Sequence, residues 1–132
     1  MYVCNAFSLK MLPEWVAVGL IGFQRLTLEE ARAVIARAIE DGDTVTSTVG
    51  HADTAAIFST QLGVDVPMNR VDARFIPGIE PTMLVGQYYG PRLPEGATAL
   101  PEGAEIQWLL ISFDENGIIE FTPDVWNGGD EK

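Results

Sequence analysis

Apolar residues along this 132-residue chain recur with two different spacings, and the switches between them lay out the elements. Met1 to Phe7 opens apolar and β-prone and predicts a buried strand ending at Asn5-Ala6-Phe7-Ser8. Pro13 interrupts, after which Trp15 to Phe23 predicts a second strand. Thr27-Leu28-Glu29-Glu30 has the form of a capping box, the Thr27 hydroxyl accepting from the Glu30 N–H while Glu30 reaches back to the Thr27 N–H. Leu28, Ala31, Ile35, Ala38 and Ile39 then come at helical spacing, and Gly42 closes the helix. Thr44 to Val49 alternates and is β-branched, hence a strand. Ala52 to Leu62 predicts a second helix with Gly63 at its C-terminal end.

Downstream, Val71 to Ile76 has strand character, and Pro77-Gly78 and Pro81 mark turns. Met83 to Tyr89 predicts a strand, Gly90 to Gly103 a Pro/Gly-rich loop, and Glu105 to Phe113 a strongly apolar strand. Asn116-Gly117 signals a hairpin leading into Ile118 to Phe121. Strands interleaved with two helices predict an α/β (α+β) domain with a mixed, mostly five-stranded sheet flanked by helices. The strand–helix steps make part of the sheet parallel, and the hairpin adds an antiparallel edge. The domain is expected to span residues 1–121, with residues 122–132 an acidic, flexible tail.

Composition narrows the function classes. The hydrophobic fraction of 47% argues for a packed core rather than disorder. No apolar run approaches the ~20 residues of a membrane span, and the first residues lack the layout of a signal peptide. A single cysteine, Cys4, offers neither an internal disulfide nor a thiolate cluster, so a reducing, cytoplasmic setting is expected. The formal net charge of -11 argues against binding long DNA or RNA, whose affinity comes from neutralising many phosphates. It still permits a small anion held locally by Arg, Lys and backbone N–H groups.

Candidate chemistry centres on Gly50-His51, which holds the only histidine and sits between a predicted strand and a predicted helix. Histidine exchanges its proton near neutral pH, and a helix N-terminus favours anions through its unpaired N–H groups and dipole. His51 is therefore a candidate acid or base at an anion site, or alternatively a quiet cap of its own helix. Arg92 and Glu95 come after an apolar strand in a Pro-Gly loop, where Arg suits phosphate and Glu a ribose hydroxyl. Their bland alternative is a surface salt bridge. Asn69-Arg70, and Asn5 and Ser8 at the end of the first strand, add further polar candidates. No phosphate-binding glycine loop, HExxH, GxSxG or paired cysteines occur, and neither a metal nor another cofactor is expected.

The segments Asn5-Ala6-Phe7-Ser8, Gly50-His51 with Thr54, Pro67-Met68-Asn69-Arg70 and Arg92-Leu93-Pro94-Glu95-Gly96 occur in this order. Together they resemble the small viral anti-CRISPR ring nucleases, over roughly residues 1 to 113. The resemblance implies a homodimer with a mixed sheet flanked by helices. It also implies that cyclic tetra-adenylate, the messenger of type III CRISPR immunity, is bound across the dimer interface. The ring would be cut without metal into linear di-adenylates. On this chain it implies catalytic roles for His51, Arg92 and Glu95, and ligand contacts for Asn5, Ser8, Gly50, Thr54, Asn69 and Arg70. The family commonly carries another polar residue, often Asn, where Lys10 stands.

The residues suit that chemistry. RNA carries its own nucleophile, the 2′-OH, so cleavage needs positioning, charge neutralisation and an acid for the leaving 5′-oxygen. Two-fold symmetry would present His51 twice to a four-fold ring. Two other classes fit the same composition: a protein that sequesters a cyclic oligonucleotide without turnover, and an acidic protein-interaction module.

Overall fold

The structure, a computed structural model, describes residues 1–114. Within them a five-stranded sheet is built from β1 (Tyr2–Cys4), β2 (Leu20–Leu26), β3 (Thr46–Ser47), β4 (Thr82–Tyr89) and β5 (Glu105–Asp114). Its order is β2-β5-β4-β1-β3. The chain is thus a mixed α+β domain with an open sheet and two helices, α1 (Leu28–Glu40) and α2 (Ala52–Leu62).

The sheet has two halves that share β4. On one side β1 pairs parallel with both β4 and β3. On the other, β5 pairs antiparallel with β4 and with β2. The antiparallel half is therefore made inside the first 114 residues, by β2 and β5 flanking one another. The predicted hairpin at Asn116-Gly117, the strand to Phe121 and the acidic tail lie outside the described residues.

Alternation along the strands sorts the core into two layers. Val3, Leu84 and Trp108 face the side covered by both helices, where Ala31 and Ile35 of α1 and Ala55, Phe58 and Leu62 of α2 complete one cluster. Cys4, Met83, Val85, Ile111 and Phe113 face the other side, with Met11 and Phe75 packed on them. Neither α-helix of the described residues covers that second side. Irregular segments before β2 and before β4 do so instead, joined where the Phe75 N–H donates to the Met11 carbonyl at 2.8 Å.

The local signals explain the helices. α1 starts at the expected capping box, with Glu30 N–H to Thr27 Oγ1 at 3.1 Å and Thr27 N–H to Glu30 Oε1 at 2.9 Å. α2 spans the expected residues and ends where Gly63 takes the left-handed region at φ 72°, its N–H reaching the Ser59 carbonyl.

Three strand expectations are corrected. The second strand lies at Leu20–Leu26 rather than Trp15 to Phe23. Trp15 and Val18 are exposed in an irregular segment, of which only Val16 packs against the loop-covered layer. Thr44 to Val49 contributes only Thr46–Ser47 to the ladder, since its partner β1 is itself three residues long. Val71 to Ile76 forms no strand, apart from one bridge between Ile76 and Glu80; Ala73 and Phe75 are buried as a loop cover. Period-two burial alone cannot tell a covering loop from a paired strand.

Gly86 marks the tightest point of this packing. A Cβ there would lie 2.6 Å from the Trp108 ring and 2.9 Å from the Phe58 ring. Gly86→Ala is expected to destabilise the fold by about 1–3 kcal/mol through overpacking. Urea denaturation checks this, and an unchanged midpoint would contradict the described packing.

Candidate functional site

The carboxyl ends of β1, β3 and β4 point the same way, because the three strands are parallel. Open α/β sheets bind ligands at such an edge. Each end leads directly into a predicted site segment: Cys4 into Asn5, Ser47 into Gly50-His51, and Tyr89 into the Arg92–Gly96 loop. β4 runs four residues beyond its Cys4–Val85 pairing and then turns, with the Tyr88 hydroxyl donating to the Pro91 carbonyl at 2.6 Å.

The N-terminus of α2 is the hub. His51 is its N-cap residue in an extended conformation (φ -126°, ψ 133°), and its carbonyl accepts the Ala55 N–H at 3.0 Å. Its imidazole makes no capping hydrogen bond and is exposed, which removes the quiet-cap alternative. Thr54 sits half-buried in the first turn of the same helix.

Asn69 and Arg70 reach the hub from the loop after α2. The Asn69 N–H donates to the Val49 carbonyl and its Nδ2 to the Ser47 carbonyl, both at 2.8 Å. Arg70 Nε donates to the Gly50 carbonyl at 3.0 Å. One member of the pair is therefore a structural tie whose amide is spent on the end of β3. The other lays an exposed guanidinium beside the residue preceding His51.

The Arg92–Gly96 loop arrives on the same helix. The Gly96 N–H donates to Asp53 Oδ1, in the first turn of α2, at 3.1 Å. Thr60 Oγ1 further along α2 donates to the Thr98 carbonyl at 3.1 Å. Arg92 and Glu95 are both exposed, and neither makes a side-chain hydrogen bond or ion pair within the described residues. The surface salt bridge expected as their alternative is absent there. The sequence did not single out Asp53; an acid in a first helical turn is common enough to be read as a dipole partner alone.

Asn5 and Ser8 lie apart from the hub but next to it. They line a cavity of about 190 Å³ together with Lys10, Thr48 and Asp72. Thr48 precedes Gly50 by two residues and Val71, also in the wall, comes directly after Arg70, so cavity and hub are continuous along the chain. Ser8 also caps the short 3-10 turn Leu9–Met11, its Oγ accepting the Lys10 N–H at 3.2 Å. Lys10 thus joins the cationic side chains at this edge. A larger apolar cavity of about 300 Å³, among Leu12, Val16, Ile21 and Phe113, contains none of the predicted residues.

Cys4 is no nucleophile here. Burial pushes its thiol up from the ordinary value, against a smaller opposing contribution from Thr48, and its Sγ contacts Met83 Sδ at 3.9 Å. Among the described residues no group of three His, Cys, Asp or Glu side chains is arranged to hold a metal ion. Among the same residues no helix is long and apolar enough to cross a membrane.

The model of the STIV B116-like family matches residues 1–113. Among solved structures, the chain is similar to B116 of Sulfolobus turreted icosahedral virus, with 25% identity and a TM-score of 0.64. That match covers 84% of this chain and 97% of the viral protein. No curated protein matches the chain.

The two neighbours Asn69 and Arg70 should separate on substitution. Asn69→Ala removes a partly buried hydrogen bond and is expected to cost about 1–2 kcal/mol in urea denaturation. Arg70→Ala, at an exposed position, should stay within about 0.5 kcal/mol of the parent. Equal stabilities for the two variants would contradict the structural role of Asn69. Cys4 should resist a thiol reagent at pH 7–8 in the native protein and react in urea, since a raised pKa and burial both withhold the thiolate. Rapid labelling without denaturant would overturn its placement.

Proposed function

Since the chain belongs to the STIV B116-like family, we propose that it is a homodimeric, metal-independent ring nuclease. It cuts cyclic tetra-adenylate into linear di-adenylates and thereby switches off type III CRISPR signalling. One observation carries the reading: Arg70 and the Arg92–Gly96 loop are both hydrogen-bonded onto the α2 N-terminus, around an exposed His51. A helix N-terminus with an arginine beside it, and a second arginine in a loop tied to its first turn, suits a phosphodiester.

In the proposed reaction a ribose 2′-OH of the ring attacks its own 3′-phosphorus. Its proton passes to solvent water as the new P–O bond forms. Arg92 and Arg70, with the N–H groups of α2, balance the charge gathering on the phosphoryl oxygens. His51 as imidazolium gives a proton to the 5′-oxygen as the P–O5′ bond breaks. Glu95 holds a ribose hydroxyl or orients Arg92. The products carry 2′,3′-cyclic phosphates, and no metal-bound water is required because the nucleophile belongs to the substrate.

A two-fold dimer would bring two copies of His51 to opposite phosphodiesters of a four-fold ring, yielding equal halves. The cavity lined by Asn5, Ser8 and Lys10 would then take part of an adenosine beside the cut. The net charge of -11 is compatible with a ligand of only four phosphates, though it predicts little electrostatic steering of association. The setting would be the cytoplasm in which the messenger is made.

One observation favours a second reading, sequestration without turnover. Among the described residues the His51 imidazole has no hydrogen-bonding partner to orient it as a general acid. Incubation with cyclic tetra-adenylate in EDTA separates the two. Di-adenylate should form, and His51→Ala should slow it by ~10²-fold or more while the ring still binds. Tight retention of an intact ring by the parent protein supports sequestration, and no binding at all sinks both readings. Arg92→Ala should weaken ring binding by about tenfold or more and lower cleavage with it; unchanged affinity and rate would remove Arg92 from the site.

A further inference from the structure

We infer that Asp53 is a positioning residue: its carboxylate, fixed in the first turn of α2, sets the loop that carries Arg92 and Glu95 against the helix end that carries His51. The inference deepens the reading of the site given above and rests on it for its catalytic consequence. Its structural content stands independently.

The geometry of the loop explains why this contact matters. The Ala97 N–H donates to the Pro94 carbonyl at 3.1 Å, closing a turn over Pro94, Glu95, Gly96 and Ala97. Gly96 has φ 79°, the left-handed conformation required at the third position of a type II turn. Glu95 thus occupies the second position, where its side chain direction is set by the orientation of the turn. The Gly96 N–H is not used within the turn and points to Asp53 Oδ1 at 3.1 Å, across 43 residues of sequence. Between Arg92 and Gly96, among the described residues, this is the one hydrogen bond to another element. The Thr60–Thr98 bond holds only the chain beyond the turn. A charged acceptor makes the tie stronger than a neutral one would be.

The alternative role for Asp53 is purely electrostatic, an acid stabilising the helix N-terminus. Asp53→Asn separates the two, since it keeps an acceptor oxygen and removes the charge. A positioning residue is rescued by Asn and not by Ala, whereas a dipole partner is lost in both. Removing the charge should also make room for an anion beside His51, so Asp53→Asn should bind the ring at least as tightly as the parent.

The test uses the full chain with Asp53→Ala and Asp53→Asn. Amide hydrogen exchange at Gly96 should speed up about fivefold in Asp53→Ala and return toward the parent in Asp53→Asn, one ordinary hydrogen bond being worth that factor. With cyclic tetra-adenylate, Asp53→Ala should lower kcat about tenfold with a smaller change in KM, and Asp53→Asn should restore kcat. Unchanged Gly96 exchange in Asp53→Ala overturns the inference, as does equal loss of kcat in the two variants. If the parent protein leaves the ring intact, the nuclease reading falls. The exchange measurement then still decides whether Asp53 holds the loop.

Discussion

The contact between Phe58 of α2 and Trp108 of β5, ring centroids 4.9 Å apart and closed over Gly86 of β4, sets the placement of α2 and so of the candidate site at its N-terminus. Both rings are buried in the helix-side cluster, with Val3 and Leu84 beneath them. A Cβ at position 86 would crowd both rings. While they stay, α2 lies across the sheet at fixed depth, and its first turn sits where β1 and β3 end. The burial of two aromatic side chains supplies more free energy than any single polar contact of the site. The polar contacts therefore orient groups on a frame that the core has already fixed.

The two halves of the sheet divide the labour. The parallel half, β4-β1-β3, brings three carboxyl ends to one edge and so gathers Asn5, His51 and the Arg92–Gly96 loop from distant sequence. The antiparallel half, β4-β5-β2, carries the long registers of paired residues. The site's cations are few and local: Arg70 on Gly50, Lys10 in the adjoining cavity and Arg92 in the loop. Acids stand among them, Asp53 and Glu95 included, and the Gly96–Asp53 bond shows one of them spent on architecture. A protein with a large negative net charge thus still gathers three cationic side chains along one edge of its sheet.

Local sequence determined a good part of this. The Thr27 capping box, the extent of α2 from Ala52 to Gly63, and the strands from Met83 and Glu105 were all legible, because each depends on a periodicity or a cap confined to neighbouring residues. The candidate segments could be picked out as well, though only as an ordered set that resembles a known family, since none of them is specific alone. The apolar run around Trp15 and the stretch from Val71 to Ile76 were not legible: Trp15 and Val18 stay exposed despite their apolarity, and the alternate burial of Ala73 and Phe75 does not tell a covering loop from a paired strand. Only the tertiary structure decided which polar residues meet. It separated Asn69, whose amide is consumed by Ser47, from its neighbour Arg70. It also revealed Asp53 as the acceptor for Gly96. Such pairings join residues tens of positions apart, and their distances are set by how strands and helices pack, a property that no local pattern contains.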